Sequence, residues 1–172
     1  GERVLVDLDV VKALLARMYQ YVGNWEMASS LASDLIGRYS LEEDLDRVFL
    51  KDSQETIWQL KADLEYPLNT REGEQLIIRS IPGQSYALTE ELLSAFEAND
   101  LRKDHWVGSM SDVDDTITLY FAHKYKADIN EPESLEYSIL FRLGEQYLIR
   151  AEARVHLGNL IGAQQDLNMV RY

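Results

Sequence analysis

A helical unit that occurs twice, once toward each end, constrains this chain more than any other feature of its sequence. From Val11 to Val22 the large apolar residues fall at Val11, Leu14, Leu15, Met18, Tyr19 and Val22, the spacing that lines one face of an α-helix. Gly23-Asn24 stops that helix, with Gly suited to a left-handed C-terminal position and Asn suited to cap the next one. A second helix begins near Trp25, and its inward face carries Trp25, Ala28, Ala32, Leu35, Ile36 and Tyr39. Its alanines let two helix backbones approach closely. The unit returns where Leu140, Leu143, Tyr147, Leu148, Ala151 and Val155 form a stripe that ends at Gly158-Asn159, succeeded by Leu160, Ala163, Leu167 and Val170. Aligning the two turns matches Ala16 with Ala151, Val22 with Leu157 and Ala28 with Ala163. One-sided apolar stripes need covering, so the two hairpins, at 7–39 and 139–172, are expected to share one helical layer.

The repeated pattern resembles the tetratricopeptide repeat, whose units bury their faces against neighbours. Between the hairpins, over 44–138, the periodicity changes to that of short strands, turns and one helix. Ile57 to Leu60, Leu76 to Arg79 and Thr116 to Phe121 are predicted strands. Thr89 is a predicted N-cap, with Glu90 and Glu91 near the positive end of a helix that runs to about Asn99-Asp100. Pro67, Pro82-Gly83 and Pro132 mark loops. The expected fold class is mainly α: tetratricopeptide-like hairpins packed with an irregular insert containing short β-strands, over 1–172 as one domain.

Composition removes several functions. At 172 residues and 46% hydrophobic content the chain can enclose a sizeable core. Its formal net charge of -13 would repel a phosphate backbone, so nucleic acid is not an expected partner. Neutral sugars are not repelled, because hydrogen bonds and aromatic rings hold them, and the chain has 10 Tyr and 3 Trp. Without Cys there is no disulfide, thiolate zinc site or cysteine nucleophile. No apolar run reaches the roughly 18 residues of a membrane span. Glu152 and His156 share a helix face at a spacing of one turn, which reads as a surface contact rather than a metal site. Asp112, Asp114 and Asp115 begin like a calcium loop, but Ile117 stands where that loop needs Gly and His123 where it needs Glu. A solvated acidic turn accounts for them better. The motifs of serine hydrolases, phosphate-binding loops and zinc proteases are missing. Paired carboxylates of the glycosidase kind stay open among 30 acidic residues, because the fold sets their separation.

Several segments, taken in order, resemble one family. Ala13-Leu14-Leu15-Ala16-Arg17-Met18-Tyr19 with Gly23-Asn24-Trp25 and Ala28 is similar to the signature helix pair of the SusD/RagB family, and Glu55 to Leu60 resembles the strand after it. Leu92 to Asp104 resembles the family's helix with a basic-acidic turn, and Tyr120-Phe121-Ala122-His123-Lys124-Tyr125 its aromatic segment. Leu140 to Ala153 is similar to its most recognisable string. The resemblance implies a non-catalytic surface lipoprotein at the outer membrane of Bacteroidetes-like bacteria. Such a protein binds a nutrient glycan or peptide for a TonB-dependent transporter of the SusC type and carries no cofactor and no metal. The family's members are usually longer, which implies that this sequence is an interior portion, with the lipid anchor lying outside it. The last helix, with Leu160, Ala163, Leu167 and Val170 on one face, is then expected to leave part of that face uncovered.

The family has no universal ligand motif, so candidate binding residues come from the residues themselves. Trp25, Tyr147 and Trp58 lie on stripes or strands and read as core. Trp106 lies in the polar stretch Lys103-Asp104-His105-Trp106-Val107-Gly108-Ser109, predicted as a loop, and belongs to no stripe. With His105 beside it, and with Tyr86 after Pro82-Gly83-Gln84-Ser85, it is the predicted sugar contact; an aromatic that closes over the core is the competing account. For the whole chain the competing function is a tetratricopeptide-like scaffold that holds a partner peptide.

Overall fold

In the computed structural model, residues 2–61, 68–83 and 86–171 are described. The expected loop at Pro67, the residues Gln84 and Ser85, and Tyr172 lie outside them. In chain order the elements are α1 (Leu8–Tyr21), α2 (Trp25–Ile36), a 3-10 turn (Leu45–Arg47), β1 (Thr56–Leu60), α3 (Arg71–Leu76), α4 (Glu90–Ala95), α5 (Leu101–Trp106), β2 (Val107–Ser111), β3 (Thr118–Ala122), β4 (Ser138–Arg142), α6 (Leu143–His156) and α7 (Leu160–Met169). They divide into two compact units: Gly1–Glu43, Asp52–Leu60 and Ile139–Tyr172 form one, and Asp44–Lys51 with Lys61–Ser138 the other.

The first unit holds both hairpins, α1 with α2 and α6 with α7. Asp7 opens α1 by accepting the backbone N–H groups of Asp9 and Val10, and Asn24 opens α2 by accepting that of Met27. Between them Gly23 sits at φ +72°, and the N–H of Asn24 reaches back to the carbonyl of Tyr19 at 2.9 Å. The second turn copies this geometry. Gly158 has φ +81°, the N–H of Asn159 reaches Arg154 O at 2.8 Å, and the Asn159 side chain accepts from Gly162 N. Each is a left-handed glycine stop with an asparagine start directly after it.

Packing within this unit runs through small residues. Ala16, Ala28, Ala32 and Ala153 are buried around Ile149, and Val10, Ala13, Leu35, Ile57 and Phe141 form a second apolar cluster. The stripe expected to face inward on α1 instead faces out: Leu14 is 46% exposed, Met18 51% and Val22 71%. Alanines at the crossing let the backbones approach so closely that the bulkier side chains are turned from it. On α2 the expectation holds, with Ala28, Ala32 and Leu35 fully buried.

The second hairpin starts later than its stripe suggests, because Leu140 belongs to β4, which pairs with β1. The junction is held by Glu55, fully buried, whose carboxylate accepts from Arg142 Nη1 at 2.9 Å and from Glu42 N at 3.1 Å. Along α6 the buried positions include Leu143, Ile149, Ala151 and Ala153, while Leu148 and Val155 are exposed. On α7 Ala163 is buried, and Leu160 and Leu167 are exposed. Arg17 of α1 grips Glu145 of α6 through Nε at 2.6 Å and Nη2 at 2.8 Å. Glu152 accepts from Gln20 rather than pairing with His156, whose ring stacks on Trp25 with centroids 3.9 Å apart.

In the second unit the predicted strand at Leu76 to Arg79 is absent. Thr70 caps α3 there by accepting from Gly73 N, and the chain after Leu76 is extended with Ile78 buried. The helix opened by Thr89 ends at Ala95, well before Asn99-Asp100. Strands β2 and β3 form an antiparallel hairpin with Val107 opposite Ala122 and Ser111 opposite Thr118. Gly108 lies against Phe121, where an added Cβ would sit 2.5 Å from the ring. The third predicted strand starts two residues late because Thr116 belongs to the turn: Asp112 accepts from Thr116 N, Thr116 Oγ1 and Ile117 N. Those bonds hold the Asp112 carboxyl below the usual range, with Thr116 the largest cause.

Glu136 supplies a pH-dependent contribution to this unit. It is buried; one carboxylate oxygen accepts from Lys126 N at 2.6 Å, and the other has no hydrogen-bond partner among the described residues. Burial pushes its carboxyl above the usual range despite the backbone donors. The folded state then holds the proton more tightly than the unfolded chain, so this site's stabilisation is full below the ordinary glutamate value of about 4.3 and is lost as pH rises through the raised value. We expect wild type to lose stability relative to Glu136→Gln over the range from about pH 4 up through that raised value. Urea unfolding of both proteins across that range checks it, and a constant difference would contradict it.

Candidate functional site

The bend between α4 and α5 builds a cleft. Phe96 ends α4, Asn99 takes φ +66°, and Asp100 caps α5 by accepting from Arg102 N at 3.0 Å. Asn is among the side chains that tolerate a left-handed backbone. The chain thus doubles back, and Leu92, Ala95 and Phe96 come to face Arg102 and Trp106 across a hollow of about 390 Å³.

Trp106 is not a loop residue. It is the last residue of α5, and the chain passes straight into β2, with His123 N donating to Trp106 O at 2.8 Å. The indole is half-buried: its N–H donates to Leu45 O at 3.0 Å, and its ring meets Phe49 edge-on at 5.4 Å. With that N–H engaged, the ring offers the cleft apolar surface rather than a hydrogen bond. Its orientation is fixed from two sides, so little freedom is lost when a flat ligand settles against it.

The other two predicted residues stand apart from this cleft. His105 is half-buried with Nδ1 3.0 Å from Asp46 Oδ1, and Asp46 also accepts from Lys126. Together Asp44, Asp46 and His105 place three possible metal-ligand atoms within 4.8 Å of one another. The lysine occupies the same carboxylate, and its hydrogen bond is the main cause of the lowered Asp46 carboxyl. A cation there would have to displace that ammonium. No local pattern in the sequence announces this grouping, since Asp46 and His105 are brought together only by the fold. Tyr86 is 62% exposed and lines a different hollow of about 510 Å³ beside Ile77, Arg79 and Gly83. Leu92, Ala95, Phe96 and Arg102 also line the cleft, and the sequence singled out none of them as a binding residue.

Arg102 carries the cleft's charge, and it is closed by its neighbour. Its Nε lies 2.9 Å from Asp100 Oδ1 and its Nη2 2.5 Å from Asp100 Oδ2, a two-pronged pair. Nearby, His123 packs edge-on against Phe121, and burial pushes its imidazole below the usual value, with Lys126 adding to the effect.

Comparison with known proteins places this architecture. Residues 94–172 match the model of the SusD family. No curated protein matches the chain. Among solved structures, a SusD-like carbohydrate binding protein from Bacteroides vulgatus superposes with a TM-score of 0.73 at 23% identity, over 98% of this chain and 38% of that one. A SusD superfamily protein from Bacteroides thetaiotaomicron gives 0.76 at 23% identity, over 96% of this chain and 41% of that one. NanU from B. fragilis gives 0.74 at 18% identity, over 98% and 44%. The chain spans less than half the length of each of these structures. Among the described residues no helix is long and apolar enough to cross a membrane. The SusD family's model thus matches the C-terminal part of the chain, and nearly all of the sequence shares the fold of SusD superfamily structures.

Proposed function

We propose that this protein binds a nutrient glycan without chemically altering it, as part of a surface lipoprotein at the bacterial outer membrane that delivers the glycan to a TonB-dependent transporter of the SusC type. Both compact units are taken as parts of one such domain. The observation that carries the reading is the ring of Trp106, anchored by Leu45 and Phe49 and turned to an open cleft beside Phe96. Aromatic surface of this kind, with polar groups at its edge, suits the alternating apolar and hydroxyl faces of a sugar. Similarity to the carbohydrate binding protein from Bacteroides vulgatus supports the same reading.

The test is a glycan-array screen and then calorimetry with the best neutral ligand. Trp106→Phe keeps a ring against Phe49 while shrinking the surface offered to the cleft, and Phe96→Ala removes the facing ring. Each is expected to weaken binding at least about tenfold, near 1.4 kcal/mol, with the thermal midpoint tracked to show that the fold survives. Unchanged affinity in both variants would remove the cleft from the site. A scaffold for a partner peptide is the second reading, favoured by the exposed apolar residues Leu14, Leu15 and Met18 on α1 and Val22 directly after it. Binding of peptides but of no glycan would establish it instead.

A further inference from the structure

We infer that the cleft selects uncharged sugars over carboxylated ones, and that Asp100 sets this selectivity by occupying Arg102. The inference rests on the glycan-binding reading. Among the described residues that line the cleft, Arg102 is the one with a positive charge, and a guanidinium fork facing an aromatic wall is the usual means of holding a carboxylate two-pronged. Here the fork is already taken. Asp100 meets it at both prongs, 2.9 and 2.5 Å; the Arg102 side chain is 46% exposed, but that of Asp100 is only 8% exposed, so the carboxylate holds its place while the guanidinium stays open to the cleft. A sugar carboxylate would have to displace a partner that the backbone holds in place, since the same Asp100 oxygen also accepts from Arg102 N.

The surrounding charge points the same way. The segment that forms the cleft, from Thr89 to Trp106, carries Glu90, Glu91, Glu97, Asp100 and Asp104 against Arg102 and Lys103. An arriving anion meets a negative field, and a neutral glycan does not. A neutral sugar can stack over Trp106 and Phe96 without needing the guanidinium as a charge partner. The neutral ligand therefore loses nothing to the internal ion pair.

The experiment is a glycan array carrying neutral oligosaccharides together with uronate-containing and sialylated ones, read for wild type, Asp100→Asn and the double variant Asp100→Asn with Arg102→Gln. Asparagine caps a helix as well as aspartate does, so the single variant keeps α5 while releasing the fork; circular dichroism and the thermal midpoint confirm that it is folded. In wild type, retention of neutral glycans over carboxylated ones is expected. In Asp100→Asn the ratio of carboxylated to neutral affinity should rise at least about tenfold, and the double variant should lose that gain. If wild type prefers carboxylated glycans, or if Asp100→Asn leaves the ratio unchanged, the selectivity assignment is overturned while glycan binding stands. If no protein retains any glycan, the functional reading fails and takes the inference with it.

Discussion

Replacing Asp166 with Ala is expected to cost about 3–5 kcal/mol of unfolding free energy. This carboxylate is 1% exposed on α7 and gathers two arginines of α6: Arg150 through Nε at 2.9 Å and Nη2 at 2.6 Å, and Arg154 through Nη1 at 2.8 Å. The network extends to α2, where Ser33 Oγ lies 3.3 Å from Arg150 Nη1, and along α7, where Gly162 O accepts from Arg154. Removing the anion leaves two mostly buried cations facing each other, a far larger loss than that of an exposed ion pair. Natural domains have about 5–15 kcal/mol in total, so the variant would be close to unfolding at ordinary temperature. Urea denaturation measures the effect. A loss under about 1 kcal/mol, the scale of an exposed pair, would show that the triad is solvated in solution.

The second large effect is steric. Ala32→Leu would insert three carbons where α2 meets its neighbours, in the cluster of Ala16, Ala28, Ala153 and Ile149 in which Ala32 has no exposed surface. Overpacking commonly costs about 1–3 kcal/mol, and the upper end is expected here because the adjoining positions are themselves alanines with no flexible side chain to yield. Leu14→Ala, by contrast, removes atoms from the apolar stripe of α1 yet should cost less than about 1 kcal/mol, since that side chain is nearly half exposed already. Thermal unfolding of the two variants side by side tests the assignment of faces. Equal losses, or a larger one at Leu14, would mean that α1 presents its leucine face, not its alanine face, to its neighbours.

That contrast also marks the reach of local patterns. Periodicity located α1, α2, α6 and α7, and the two Gly-Asn pairs placed both turns, because a left-handed glycine and a capping asparagine act locally. Which face of α1 would be buried was not local. It depends on how closely a neighbouring backbone can approach, and alanine at 13 and 16 decided this against leucine at 14 and 15. The start of α6 was hidden for another reason: Arg142 precedes it without a side-chain cap, and the helix is opened by a strand instead. At Thr70 the cap was present but short, and Leu76-Ile77-Ile78 carried a stronger strand signal than the six-residue helix before it.

The cleft was legible only in part. Trp106 drew attention as an aromatic without a stripe, and it does line a hollow. Its surroundings come from elsewhere: Leu45 and Phe49 arrive from a distant segment, and Phe96 is turned toward it by one residue, Asn99, whose backbone angle leaves no periodic trace. His105 and Tyr86 were grouped with it by composition, whereas the fold assigns one to Asp46 and the other to a separate hollow.

The tip of the β2–β3 hairpin has a consequence for how the chain can change in length. Asp112 and Ile117 close the ladder beneath it through a backbone bond of 3.0 Å, and the Asp112 carboxylate seals the same point, while Val113 beyond it is 99% exposed. Nothing in the register of the strands depends on the residues beyond that closure. Extra segments inserted at Val113-Asp114 would meet chiefly the entropy of a longer loop, about 0.6 kcal/mol for each doubling. A tether, a fluorophore or a foreign epitope can therefore be spliced in there, and relatives are free to differ in length at the same place while keeping the ring-lined hollow intact.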